Sequence, residues 1–247
     1  MLTIWNSSFL VFVVFFLPCT SNANQTSIGE PTEQELFVWA YQNNVWLSKE
    51  SRSGIGAELS HTAVIRTELP LVLQELSTKT LLDVACGDLN WLKEIDLTSL
   101  EHYIGLDVVP ELIERNRNLY GSSKCRFICA NAIADPLPYA DVVLCRSLLP
   151  LLSYDNIFKV INNIKKSGAQ YLITSHYPMK KTNTELPKEL RTIMWVRPIN
   201  LELDPFNFPE PLVIIYEGES GPIAFDKSIA LWDLNDIPLY IEPKNIT

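Results

Sequence analysis

The sequence predicts an α/β fold, a seven-stranded and mostly parallel sheet preceded by a helical N-terminal segment. Three observations predict it. Short apolar runs alternate with helix-period segments between residues 80 and 175, the pattern of parallel βαβ units joined by right-handed crossovers. The runs are short and apolar, as suits strands covered on both faces. Two further apolar runs follow a Pro-rich insertion and are expected to close the sheet as an antiparallel hairpin.

In chain order, residues 24–34 are polar and read as a flexible lead-in. Residues 36–47 carry Phe37, Trp39, Tyr41 and Trp46 and read as a helix, expected to act as a lid. A polar loop, SRSGIG included, fills 48–56. Residues 62–76 place Val64, Ile65, Leu69, Val72, Leu73 and Leu76 at helical spacing, with Pro70 as a kink or boundary. Strands are predicted at 80–85, 102–107, 125–130, 141–145 and 169–175. Helices are predicted at 90–97, 110–120 and 154–166. Pro110 stands at a first turn, where its missing N–H costs nothing, and Ile157, Val160, Ile161 and Ile164 share one face. The late strands are 212–216 and 228–232. The organisation expected is a leader over 1–23, a lead-in and helical lid over 24–76, and the α/β domain over 77–247.

The leader rests on residues 9–17 (FLVFVVFFL), an unbroken apolar run ended by Pro18 and followed by Ser21-Asn22-Ala23, a small-x-small pattern. The run is shorter than the roughly 20 residues a bilayer span needs, so no transmembrane span is expected. It fits the apolar region of a secretory signal peptide cleaved near Asn24, although residues 1–8 lack Lys and Arg. A buried strand or an uncleaved anchor is the alternative. The first reading sends the protein to the secretory pathway, extracellular or periplasmic; the second leaves it cytoplasmic. Asn24-Gln25-Thr26 and Asn245-Ile246-Thr247 match the glycosylation acceptor pattern.

Composition excludes several classes. Of 247 residues, 47% are hydrophobic and 20% charged, which rules out disorder along the whole chain. With 20 basic against 29 acidic residues the net charge is −9, and such a chain repels a phosphate backbone, so general nucleic-acid binding is not expected. Beyond Cys19, the cysteines are Cys86, Cys125, Cys129 and Cys145. Each sits in or beside a predicted strand. Cys125 and Cys129 are too far apart along an extended strand for a disulfide, and buried free thiols are expected for most of the four. No His lies at zinc spacing from a Cys pair, so no metal site is expected.

Ligands of such sheets bind beyond the carboxyl ends of the strands, which directs attention to the residues just after each one. After the first come Asp83, Ala85, Cys86, Gly87, Asp88 and Trp91; Gly87 allows backbone to approach a ligand closely. Asp107, with Val108 beside it, ends the second, where a carboxylate can accept from both hydroxyls of a ribose. Asn131 and Ala132 follow the third, and the Asn131 amide can read an adenine edge. Arg146 and Ser147 follow the fourth, and His176 and Tyr177 the fifth. The sequence lacks a full G-x-G-x-x-G, which argues against a dinucleotide-dependent oxidoreductase. Asp83 and Asp88 would repel a pyrophosphate and suit a cationic ligand.

These motifs resemble those of class I S-adenosylmethionine-dependent methyltransferases. LLDVACGDLNWL is similar to their first motif, YIGLDVVPELIERNRNLYG to their second strand and helix, and FICANAIADPLPYADVVLCRSLLPLLS to the third and fourth strands with their loops. The likeness is strongest to an uncharacterised bacterial-type subgroup with a Cys-Gly-Asp-x-Asn-Trp first motif, which also resembles this chain in SRSGIG, RPINLELDPFNFPEPL and DKSIALWDL. It spans roughly residues 50 to 238.

The resemblance implies S-adenosylmethionine as cofactor and methyl transfer to an acceptor it does not identify, whether small molecule, glycan or protein. The chain departs from the family pattern in three places. Ala85 replaces the usual Gly, Asn131 the common Asp, and Arg146-Ser147 with Pro150 stands where relatives carry Arg-Asp followed by His. Catalysis by positioning is then expected, helped by His176, Arg146 or Ser147. The alternative is a non-catalytic nucleotide-binding protein. Arg146 is expected either to pair with Asp83 or Asp88 or to reach a ligand carboxylate. Arg197, Asn200 and Asn207, in the Pro-rich insertion, are candidates for an acceptor pocket. Oligomeric state is not legible.

Overall fold

Thr32 starts the first helix, α1 (Glu33–Asn43), through a capping box: its hydroxyl accepts from the Glu35 N–H at 3.3 Å while the Glu35 carboxylate accepts from the Thr32 N–H at 2.7 Å. The helix therefore begins inside the stretch expected to be a flexible lead-in, a start that the Thr-x-x-Glu spacing signals. Asn44 ends it in a left-handed conformation, φ 48°, four residues earlier than the aromatic run suggested. The computed structural model describes residues 31–185, 196–218 and 226–240. The apolar leader, its cleavage pattern and both glycosylation patterns lie outside them. Residues from Thr32 onward belong to one unit.

Helix α2 (Ala63–Glu75) continues through Pro70 and buries Ile65, Leu69 and Leu73. The strands are β1 (Thr80–Val84), β2 (His102–Asp107), β3 (Cys125–Cys129), β4 (Val142–Cys145), β5 (Tyr171–His176), β6 (Val213–Tyr216) and β7 (Ser228–Asp233); α3 (Pro110–Tyr120) and α4 (Tyr154–Lys166) complete the elements. They form one seven-stranded sheet ordered β3-β2-β1-β4-β5-β7-β6. β1 is parallel to β2 and β4, β2 to β3, and β4 to β5, while β7 runs antiparallel to β5 and to β6. The expected fold class is the observed one, including the late antiparallel pair.

Side-chain alternation divides the core. Leu82 and Val84 of β1, with Val143 of β4, pack towards α4 through Ile157, Val160, Ile161 and Ile164. Leu81, Val142 and Leu144 pack on the other face towards α2 and α3. Ser153 caps α4 by accepting from the Asn156 N–H, and Lys165 and Lys166 complement its carboxyl end.

Two expectations are corrected. Residues 90–97 make no α-helix; only Leu92–Glu94 close a single 3₁₀ turn. Leu89 before it is left-handed, φ 59°, and the Asn90 amide donates outward to Glu50 and to the Ala57 carbonyl, at 2.9 and 3.0 Å. These long-range bonds hold the start of the segment away from a helical path. The thiols of Cys86, Cys125, Cys129 and Cys145 are free, but only Cys86 and Cys145 are buried; Cys129 is exposed on β3, the sheet's edge strand. Among the described residues no helix is long and apolar enough to cross a membrane.

Candidate functional site

The order of strands reverses between β1 and β4, and a cavity of about 460 Å³ opens at their carboxyl ends. All eleven residues expected to bind a cofactor line it: Asp83, Ala85, Cys86, Gly87, Asp88, Trp91, Asp107, Val108, Asn131, Ala132 and Arg146. Ser147 lines it too.

The loop after β1 is held in a sharp path by left-handed residues, Ala85 at φ 60° and Gly87 at φ 57°. A Cβ at Gly87 would lie 2.2 Å from the Ser53 hydroxyl oxygen, so glycine is required there both for space and for conformation. Ala85 adopts the same region with a methyl group, a cost of roughly 1–2 kcal/mol. The Gly87 N–H donates to Asp107 Oδ2 and the Val109 N–H to Oδ1, each at 3.1 Å. These bonds, joined by the Val108 N–H, fix the carboxylate and leave part of its acceptor capacity open. Burial raises the Asp107 carboxyl, opposed by the backbone donors. Burial pushes Asp83 up to about 7, while the Tyr103 hydroxyl, donating to it at 2.8 Å, and Arg146 hold it down.

Asp88 plays a different part from the one expected. Its carboxylate accepts from the Ser51 hydroxyl and the Arg52 N–H, both at 2.8 Å, and from the Ser53 hydroxyl and the Asn90 N–H at 3.3 and 3.2 Å. Its acceptors go to the loop over 51–53, which it pins against the sheet. Asn131 spends its Oδ1 on the Ile133 N–H at 3.0 Å, which leaves its amide N–H groups as donors at the cavity.

Arg146 bonds to neither Asp83 nor Asp88. Its Nε and Nη2 donate to the two carboxylate oxygens of Glu217 at 3.0 and 2.5 Å, Nη2 also meets the Gly56 carbonyl at 2.7 Å, and its guanidinium lies 5.2 Å from the Trp91 ring centre. Glu217 receives a second cation, Lys227, at 3.0 Å. All three side chains are buried. The two cations hold Glu217 below its ordinary value against burial. Burial, seconded by Arg146, lowers Lys227 to about 8.

Four expected residues do not line the cavity. His176 is fully buried; its Nδ1 accepts from the Leu201 N–H at 3.3 Å and its ring stands edge-on to Trp232. Burial lowers it to about 4, so it is neutral. The next residue, Tyr177, faces the cavity instead, as alternation along an extended chain requires. Arg197 bonds Glu185 and the Leu152 carbonyl and stacks over Tyr154. Asn200 donates to the Pro178 and Lys180 carbonyls at 3.2 and 3.0 Å. Asn207 occupies a left-handed turn, φ 51°. All three have structural places in the insertion rather than places in the cavity.

The sequence announced part of the other wall, through Phe37, Tyr41 and Trp46 of the expected lid and Tyr177 after the fifth strand, but not Glu33, Gln34, Arg52, His61 or Lys227. Glu33, Gln34, Phe37 and Tyr41 of α1, Trp46, Arg52 and His61 from the segment after it, and Tyr177 and Lys227 all line the cavity. The local signals for that wall were the aromatic run at 37–46 and SRSGIG.

No protein-family model matches the chain, and no curated protein does. Solved structures match in fold. The N-methyltransferase NodS from Bradyrhizobium japonicum WM9, in complex with S-adenosyl-L-homocysteine, is 13% identical over 80% of this chain and 98% of that one, with a TM-score of 0.53. The chain has the fold of the class I methyltransferases. Human N-acetylserotonin methyltransferase, in complex with S-adenosylmethionine, is 12% identical over 83% of this chain, with a TM-score of 0.51; this chain spans 60% of it. At these identities the likeness is one of fold, and the family's Cys-Gly-Asp-x-Asn-Trp signature rests on the sequence.

Proposed function

We propose that the protein is an S-adenosylmethionine-dependent methyltransferase. The observation that carries the reading is the convergence of the residues following β1, β2, β3 and β4 on one cavity at the switch point. The open acceptor sites of Asp107 suit the ribose hydroxyls, and the Asn131 amide donates to an adenine nitrogen. Asp83, buried and titrating near neutrality, suits the cationic amino group. Gly87 gives the backbone its close approach. The cofactor supplies a methyl group already activated on a sulfonium, so the protein's task is to align the acceptor and exclude water. The motif after β4 offers Ser147 and Pro150 and no carboxylate or imidazole, which fits catalysis by positioning.

Helix α1 serves as the wall and lid over this site, with Phe37 and Tyr41 facing in. Residues 1–23 are a cleaved leader in the same proposal; an intact Met1 in the product of a secreting host overturns that part. The test of function is incubation with methyl-labelled S-adenosylmethionine and fractionated small molecules, glycans and proteins. Label transfer to one fraction is the expected result. Cofactor binding without transfer to any fraction supports a non-catalytic binding protein, and absence of cofactor binding overturns the reading.

A further inference from the structure

The end of the cavity farthest in sequence from the β1 motif holds an unusual balance of charge and hydrogen bonds. Among the described residues, Glu217 is the carboxylate that ion-pairs with both Arg146 and Lys227, so these contacts join two buried cations to one anion. An unbalanced buried charge is costly without a partner. Arg146 spends Nε and Nη2 on Glu217 and Gly56. Lys227 spends one of its three donors on Glu217, and its ammonium lies beside Gly56, where a Cβ would sit 3.2 Å from Nζ. Beside this cluster the Tyr177 hydroxyl is buried and has no hydrogen-bond partner among the described residues. Buried hydroxyls without partners are rare and ask for a ligand. Tyr177 and Lys227 both line the cavity, and Leu148, Leu151, Leu152 and Val196 supply an apolar wall to the same space.

We propose that Tyr177 and Lys227 form an acceptor subsite that receives the carboxylate of a small molecule whose remaining body is apolar. The carboxylate meets the two buried cations, accepts from the Tyr177 hydroxyl and the Lys227 ammonium, and leaves the apolar body against the leucines. The assignment of this ligand as methyl acceptor rests on the methyltransferase reading; its binding does not. Burial and Arg146 lower the Lys227 ammonium only to about 8, so it remains mostly protonated at neutral pH.

Hexanoate and its neutral counterpart hexanamide are the probes, titrated calorimetrically at pH 7 with and without saturating S-adenosylhomocysteine. The full chain is expected to bind hexanoate and not hexanamide. Tyr177→Phe and Lys227→Met are each expected to weaken hexanoate roughly tenfold or more. Tyr177→Phe removes one oxygen and keeps the ring, and Lys227→Met leaves Glu217 paired with Arg146, so both variants keep the fold. Equal binding of the two probes, no binding of hexanoate, or unchanged hexanoate affinity in Tyr177→Phe overturns the subsite. S-adenosylhomocysteine titrated alone reports on the methyltransferase reading separately: its failure to bind sinks that reading while the hexanoate titration still decides the subsite.

Discussion

The two halves of the cavity are built on different principles. The half formed after β1, β2 and β3 is local: Asp83, Gly87, Asp107 and Asn131 sit within or just beyond the strands that position them, and its hydrogen bonds are largely to backbone, such as Gly87 and Val109 N–H to Asp107. The half lined by Arg146, Lys227 and Tyr177, with Glu217 pairing both cations, is assembled across long sequence distances, and side-chain charge holds it together. The difference separates a recognition surface made of turns from one made of ions. Turns keep their shape when a side chain is trimmed; a buried ion cluster fails as a unit.

The largest effect is expected where the ionic half is broken. Glu217→Gln removes the one carboxylate between two buried cations, and breaking such a cluster costs about 3–5 kcal/mol of stability, read as a lowered urea midpoint. A loss below about 1 kcal/mol would mean the cluster is solvated and the contrast between the halves is false. In the turn-built half, Asp107→Ala is expected to weaken S-adenosylhomocysteine by ~1.5–3 kcal/mol, seen calorimetrically, because a charge-assisted acceptor is lost. Unchanged affinity removes Asp107 from the ribose.

The same half carries a pH signature. Asp83 titrates near 7 folded and near 3.8 unfolded, so between those values the folded chain holds the extra proton. Its contribution to stability is full below about pH 4 and declines as pH rises towards about 7. Denaturant midpoints between about pH 5 and 8 should therefore fall with pH in the parent, and less steeply in Asp83→Asn. Parallel slopes contradict the assignment. The smallest effect is expected at Ala85. Ala85→Gly relieves a left-handed alanine but loosens the unfolded chain, for a net gain under about 1 kcal/mol, measured by urea denaturation. A clear loss would show that the methyl group packs usefully.

The sequence made the turn-built half legible because its signals are short in range. An aspartate closing a strand and a glycine just after one can be read at fixed spacing, and LLDVACGD and GLD carried both. The same alternation announced the parallel sheet, while the order of its strands is a finding of the structure. The ionic half was opaque for a physical reason. Arg146 and Glu217 are 71 residues apart, and nothing beside Arg146 announces which acid will reach it, so Asp83 and Asp88 were the natural but mistaken partners. His176 and Tyr177 differ by one step along the chain, and that step decides which faces the cavity; the chemistry of an imidazole pointed to the wrong one. Asp88 lines the cavity, but its role as anchor of the 51–53 loop was not legible, because its serine donors lie far upstream in sequence.

S-adenosylmethionine is the cofactor proposed for this cavity. Calorimetric titration of the full chain at pH 7 with S-adenosylhomocysteine, with NAD as the control, tests it most directly. The account predicts saturable binding of S-adenosylhomocysteine at one site per chain and no heat of binding from NAD. Binding of NAD, or none of S-adenosylhomocysteine, would contradict it.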